Sequence, residues 1–151
     1  MADVTKNLGR AIIAGFVATF IATRWGYMEE RVGLPKLDFL SFVGSQIAPK
    51  DASAAFIYNW GAIQHYIDGV IFVIIYGMFF YNILPGPALF RGVIYGILLW
   101  IGTGLVYFPL SGVGLFGANL GGPFLWAVLI WHIVWGIALG VFYSLPKATS
   151  G

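Results

Sequence analysis

The chain has 151 residues, of which 60% are hydrophobic and 9% are charged, and its formal net charge is +2. Soluble domains carry about 25% charged residues, so this composition excludes an ordinary soluble domain and favours a protein that has the lipid bilayer as its solvent. The lack of cysteine excludes disulfides, thiolate metal sites and cysteine nucleophiles, and the small net charge gives no indication of a nucleic-acid partner.

Four apolar runs, each long enough to span a membrane, follow one another along the chain. A transmembrane helix needs about 20 residues, and the runs cover residues 8–28, 56–82, 90–109 and 123–145. Turn signals agree with these limits, because Pro85 and Pro87 mark a tight connection and Pro123 suits the first turn of a helix. We therefore predict an all-α integral membrane four-helix bundle that forms a single domain over residues 1–151.

A long loop, residues 29–55, separates the first two runs and carries seven charged residues. Within it, apolar residues recur at helical spacing: Leu37, Leu40, Val43 or Phe42, and Ile47. This spacing predicts a short amphipathic helix that lies in the membrane interface. An ordinary capped loop packed on the bundle is the alternative.

Basic residues predict the orientation of the bundle. Four of them lie on the side of the N-terminus (Lys6, Arg10, Arg91 and Lys147), and four lie on the opposite side. The first set is closer to the ends of the spans and lies in shorter segments. The positive-inside rule therefore predicts that the N- and C-termini are cytoplasmic.

The two halves of the chain resemble each other. A shift of 81 residues superimposes the first and third spans together with the segments that follow them, and it gives seven identical pairs, of which three lie at residues 32–34 and 113–115 beyond the spans. A shift of 67 residues superimposes the second and fourth spans. The second shift pairs His65, Gly69 and Tyr76 with His132, Gly136 and Tyr143, in the shared pattern H-x3-G-x6-Y. We predict two tandem parallel helix-pair repeats, at about residues 7–84 and 88–146, related by a pseudo-twofold axis along the membrane normal.

The two histidines lie in the middle of predicted spans. Each is nine residues past its helix start, which is about 13 Å deep in a hydrocarbon core about 30 Å thick. Two imidazoles that face each other across the axis could bind a b-type haem or a divalent metal ion, and Gly69 and Gly136 would make room beside His65 and His132. The alternatives are a hydrogen bond within the bundle, and proton or ion handling.

Asp68 is an acidic residue inside the second predicted span. Its i, i+3 spacing places it beside His65, where it could hold the imidazole tautomer or relay a proton. The alternative is a protonated or hydrogen-bonded carboxyl group that joins two helices.

Glycine pairs in the last two spans indicate close helix packing. Gly92 and Gly96 form one small-x3-small face, and Gly136 and Gly140 form another. Such faces allow helix backbones to approach closely, either within a chain or between subunits.

Three segments resemble a family of small, uncharacterised four-span membrane proteins of bacteria and archaea. These segments are residues 7–15 (NLGRAIIAG), residues 33–38 (GLPKLD) and the H-x3-G-x6-Y stripe of the second span. The resemblance covers nearly the whole chain. It implies a fold and a location in the cell membrane, but no reaction and no functional residues.

Three functions fit these observations. The preferred one is a non-catalytic accessory or structural subunit of a larger membrane complex of electron-transfer or oxidase type, because the chain is small and carries none of the common catalytic motifs. Its partners would be the lipid bilayer and other membrane subunits, without nucleic acid. The second is a bis-His b-haem or metal-binding membrane protein, and the third is a carrier or channel for a small solute or protons.

Overall fold

The computed structural model describes residues 4–36 and 38–143, and within them every regular element is helical. The α-helices are α1 (Val4–Gly26), α2 (Phe39–Ile47), α3 (Ala54–Ile75), α4 (Ala88–Gly102), α5 (Phe108–Leu110) and α6 (Gly122–Tyr143). The prediction of an all-α protein is confirmed. Leu37, Lys147 and the end of the fourth predicted span lie outside the described residues.

Four helical segments are long and apolar enough to cross a membrane: Leu8–Gly26, Ala54–Phe80, Ala88–Leu110 and Gly122–Tyr143. They agree with the four predicted spans. Local signals explain where α3 begins, because the Ser53 hydroxyl accepts a hydrogen bond of 3.2 Å from the backbone N–H of Phe56 and so caps the helix. The prolines at 85 and 87 bound the connection to α4.

Two spans contain a turn of π-helix. After α3 the chain continues through a π-helical segment, Tyr76–Phe80, and after α4 it continues through another, Thr103–Tyr107, into the short α5. A π turn inserts one extra residue per turn, so side chains beyond it are rotated relative to those before it. Such turns are frequent at functional sites.

The short amphipathic helix predicted in the long loop is formed. Asp38 caps α2 by accepting a hydrogen bond of 3.3 Å from the Ser41 N–H, and Leu40 is buried. The helix packs on α3 through two glycines, since a methyl group at Gly44 would overlap the Ile57 carbonyl. Backbone therefore lies on backbone, and α2 is a fixed part of the protein.

The four long helices pack in the order α3, α1, α6, α4. Helix α1 contacts α3 on one side and α6 on the other, and α6 also contacts α4. By contrast, the backbones of α3 and α4 scarcely meet over the described residues. The bundle is therefore closed along the α1–α6 seam and open along the α3–α4 seam.

Small residues make the close contacts of α4 with α6. A methyl group at Gly92 would overlap the Gly136 carbonyl, and one at Gly140 would lie 2.6 Å from the Leu89 Cα. The two small-x3-small faces predicted from the sequence thus meet each other within the chain. Helix α1 uses alanine in the same way, with a buried face of Ala11, Ala14, Ala18 and Ala22.

Large apolar side chains remain exposed on the outer faces of the described helices. Ile13, Ile63 and Leu105 are each more than half exposed. A surface of this kind would associate in water, but it matches hydrocarbon. The lipid bilayer therefore supplies the environment that the outer faces need.

Candidate intramembrane binding site

A cavity of about 410 Å³ lies between α3 and α4. Side chains of α1 and α6 line it as well, and α2 contributes Phe39 and Val43. Its volume falls within the range of about 300–1,000 Å³ that is typical of small-molecule sites. Three of its lining residues are the ionisable groups singled out in the sequence: His65, Asp68 and His132.

The two histidines lie at similar depth. His65 is eleven residues into α3, which starts at Ala54, and His132 is ten residues into α6, which starts at Gly122. At about 1.5 Å per residue, both lie about 15–16 Å from the membrane side on which α2 lies. This depth places both imidazoles near the middle of the bilayer.

The His132 ring is fixed by its hydrogen bonds. Its Nδ1 lies 2.8 Å from the Val128 carbonyl oxygen, which can only accept, so Nδ1 carries the proton. In the neutral ring Nε2 then holds a lone pair, and the Thr103 hydroxyl lies 3.4 Å from it. The ring therefore presents an acceptor nitrogen, oriented by its own helix, to the cavity.

His65 has an unsatisfied nitrogen. Its Nε2 atom is buried and has no hydrogen-bond partner. The ring makes edge contacts with Phe39 at a centroid distance of 5.3 Å and with Trp131 at 5.8 Å. Because an unpaired buried polar atom costs about 1–3 kcal/mol, this nitrogen favours a site that is completed by a bound group.

Asp68 lines the cavity beside the histidines. Its Oδ1 accepts a hydrogen bond of 2.7 Å from Gln64 Nε2, one turn earlier on α3. The carboxyl group is thus held by Gln64, and the role of Asp68 as a partner of His65 stays a prediction.

The glycines proposed to make room beside the histidines serve helix packing. A methyl group at Gly69 would overlap the Thr19 hydroxyl of α1, although Gly69 also lines the cavity. Gly136 contacts Gly92 of α4 and is not among the described lining residues. Gly136 therefore packs against α4, and its role beside a cofactor stays a prediction.

Several residues of the cavity are not evident from the sequence. They are aromatic or hydroxyl-bearing: Thr19, Phe39, Thr103, Tyr107, Trp131 and Trp135. The Trp135 indole donates a hydrogen bond of 3.1 Å to Thr19 Oγ1 and so joins α6 to α1. The Tyr107 hydroxyl is buried and lies near the Ser111 side chain.

The cavity reaches the outer surface between α3 and α4. Its rim there consists of Phe72 and Leu98, each 40% exposed, together with Val106, 59% exposed, and the exposed Gly102. A hydrogen bond bridges α3 and α4 at the end of this opening that lies away from α2, where the Tyr95 hydroxyl donates to the Phe72 carbonyl at 2.9 Å.

A known protein family covers almost the whole chain. Residues 5–150 match the family of unknown function designated DUF6789. The chain belongs to this family. The resemblance to an uncharacterised family is confirmed, and no curated protein and no solved structure matches this DUF6789 chain.

Among the described residues, the cavity of this DUF6789 protein offers neither a metal ion nor haem a complete set of partners. No three His, Asp or Glu side chains of the described residues are close enough together to hold a metal ion. For a b-haem, His65 and His132 would be the ligands, although the Nε2 atom of His132 already lies 3.4 Å from the Thr103 hydroxyl, and none of the described lining residues is Arg or Lys. Haem propionates would have to leave through the opening between α3 and α4.

Proposed function

We propose that the protein binds a small molecule in the cavity between α3 and α4, with His65, Asp68 and His132 as its polar contacts. One observation carries the proposal: a single cavity collects both histidines of the chain and the only acidic residue within the described spans. Ionisable side chains are costly at this depth and mark functional sites by default. The Nε2 atom of His65 has no hydrogen-bond partner, so a bound molecule could form a hydrogen bond with it.

A binding role without catalysis agrees best with this arrangement. A catalytic site needs a nucleophile or a proton donor held against a second group that activates it. Here Asp68 is held by Gln64 and His132 by Val128, and these contacts orient the groups toward a guest.

The test is the small-molecule content of the protein purified gently from its own membrane. We expect mass spectrometry of an organic extract to find one molecule per chain, and its loss in Asp68→Asn and His132→Leu. Asp51→Asn, at an exposed acid outside the spans, is the control and keeps the molecule. Equal content in all four proteins would contradict the proposal.

A bis-His b-haem is the second proposal for the ligand. It is supported by the fixed tautomer of His132 and the unpaired Nε2 of His65, because a ligating imidazole is normally oriented through its other nitrogen. A reduced-minus-oxidised absorbance spectrum is the test. A haem b signal that disappears in His65→Ala and in His132→Ala would establish haem as the ligand, and a flat spectrum of the wild type would exclude it.

We also propose that the protein works in the cell membrane as an accessory subunit of a larger complex of electron-transfer or oxidase type. Exposed isoleucines form a continuous stripe along α3 at Ile63, Ile67 and Ile71, which a neighbouring subunit or lipid would cover. Co-purification with larger subunits in a fixed ratio is expected. Recovery of the protein alone from native membranes would count against this role and favour the carrier or channel hypothesis.

The duplication of the helix pair is part of the same proposal. Three contacts support it: His65 and His132 line one cavity, the rings of Tyr76 and Tyr143 lie 5.3 Å apart, and Gly15 meets α3 as Gly96 meets α6. Residues that a pseudo-twofold axis relates should meet near that axis. We further propose that both termini are cytoplasmic.

A further inference from the structure

We infer that the ligand enters the cavity sideways from the bilayer, through the opening between α3 and α4, and that it is a lipid-soluble molecule with a flat, oxygen-bearing head, the chemistry of a membrane quinone. The inference rests on the proposed binding function and adds the route and the class of ligand.

The other sides of the cavity are closed by direct contacts. The α1–α6 seam is closed by close packing, and the Trp135 indole crosses it with its hydrogen bond to Thr19. At the α2 end, Gly44 and Gly61 bring the backbones of α2 and α3 together, since a methyl group at Gly61 would overlap the Leu40 carbonyl. Opening this end would require α2 to leave α3.

The side of the cavity between α3 and α4 is open. The two backbones scarcely meet, and the rim residues Phe72, Leu98 and Val106 are exposed and apolar. Gly102 lies among them, and a Cβ atom there would have no neighbour within 4 Å. The opening therefore faces hydrocarbon over a surface that an apolar tail can cross.

The inner walls suit a flat ring. Trp131, Phe39 and Tyr107 line the cavity, with Phe39 and Trp131 in edge contact at 5.0 Å. Aromatic side chains favour offset-stacked or edge contacts with another ring. A flat head is therefore better accommodated than a branched or saturated one.

The polar groups suit uncharged oxygens. The His132 Nε2 and the Asp68 carboxyl group are acceptors, whereas the buried His65 Nε2 atom has no partner and donates or accepts according to its tautomer. This mixture fits both the carbonyl and the hydroxyl oxygens of a quinone and its quinol. None of the described lining residues is Arg or Lys, so a phosphate headgroup would find no positive partner, and phospholipid is disfavoured.

The experiment uses the full chain in phosphatidylcholine nanodiscs. Discs that contain the protein are mixed with protein-free discs that carry decylubiquinone. The protein-containing discs are then recovered by an affinity tag and extracted, and the quinone that they retain is measured. Gly102→Leu should reduce the quinone retained after a short fixed incubation by about tenfold or more, which a barrier to entry higher by about 1.4 kcal/mol produces, because the new side chain fills the opening. Gly9→Leu is the matched control, since Gly9 is also helical, exposed and without neighbours within 4 Å of a Cβ atom, and it should retain as much quinone as the wild type.

Each outcome decides a separate point. If Gly102→Leu retains as much quinone as the wild type while Asp68→Asn retains less, the cavity binds but the sideways route is wrong. If the wild type retains no more quinone than empty discs while its native extract contains another molecule, the quinone class is overturned and the proposed binding function stands. If the native extract contains no bound molecule and no quinone is retained, both proposals fail.

Discussion

Neutralising one buried carboxyl group should stabilise the protein at neutral and alkaline pH. Glu29, just beyond α1, is 0% exposed, and neither carboxyl oxygen has a hydrogen-bond partner. Burial raises its pKa from 4.5 to about 7, because desolvation disfavours the charged form. The Trp25 indole opposes this rise, although the two groups do not reach hydrogen-bonding geometry.

The sign of the effect follows from the direction of the shift. Between pH 4.5 and 7 the folded protein binds a proton at Glu29 more tightly than the unfolded chain does, so the free energy of unfolding falls as pH rises. The contribution is fully present below pH 4.5 and is lost once the pH has passed 7. At 1.36 kcal/mol per pKa unit, a rise of about 2.5 units corresponds to about 3 kcal/mol.

Thermal unfolding in detergent micelles from pH 4 to pH 8 measures this contribution. The Tm of Glu29→Gln relative to that of the wild type should rise by several degrees over the range, so that Glu29→Gln is the more stable protein at pH 8. Because both proteins share every other titrating group, the difference between the two profiles isolates Glu29. Glu30→Gln is the matched control, because Glu30 is the next residue and is exposed, and its profile should follow the wild type. Parallel profiles for the wild type and Glu29→Gln would refute the reasoning.

Three further predictions follow from contacts described above. Gly44→Ala should reduce stability by about 1–3 kcal/mol in the same unfolding assay, because the added methyl group overlaps the Ile57 carbonyl. Tyr95→Phe should cost about 0.6 kcal/mol, the average for hydrogen bonds between membrane helices, since it removes the bond to Phe72. In this cysteine-free chain, single cysteines at the exposed positions 82 and 50 should react with an impermeant thiol reagent from opposite sides of the membrane, position 82 from the cytoplasm.

Matched controls make these three tests decisive. Gly9→Ala places the same methyl group in a helix without a close neighbour, so it should be neutral or slightly stabilising. A Gly44→Ala protein as stable as Gly9→Ala would disprove the backbone contact of α2 with α3. Unchanged stability in Tyr95→Phe would show that the bridge to α3 contributes nothing, and labelling of both cysteines from one side would contradict the proposed topology.

The fold was largely predictable because its signals are local. Apolar runs of membrane length specify the four spans, and the spacing of Leu40, Val43 and Ile47 specifies α2. The glycine pairs also predicted close packing, but only the structure shows that Gly92 and Gly136 contact each other within one chain.

The candidate site was predictable only in its ionisable members. His65, Asp68 and His132 stand out because such groups are rare within apolar runs. Thr103 and Tyr107 do not stand out, because the π turn that presents them depends on tertiary packing. Phe39 reaches the cavity only because α2 packs on α3, which its local pattern does not specify.

The symmetry that the proposed repeats would imply does not extend to the seams of the bundle. The α1–α6 and α3–α4 seams would be equivalent in two exact repeats, yet only the first is closed. The first half of the chain contains α2, which has no counterpart in the second half. Helix α2 packs on α3 and contributes Phe39 and Val43 to the cavity. An added helix in one half thus coincides with an opening on one side only.

The hydrogen bond from Tyr95 to Phe72 limits the opening between α3 and α4 on the side away from α2. Tyr95 is fifteen residues from Leu110, the α2 end of its span, or about 22 Å along the membrane normal. Between that end and the bridge lie the rim residues Val106, Gly102 and Leu98. Most of the opening therefore belongs to the leaflet next to α2, and with cytoplasmic termini that is the outer leaflet. A ligand that entered through this opening would therefore come from that leaflet and not from the other.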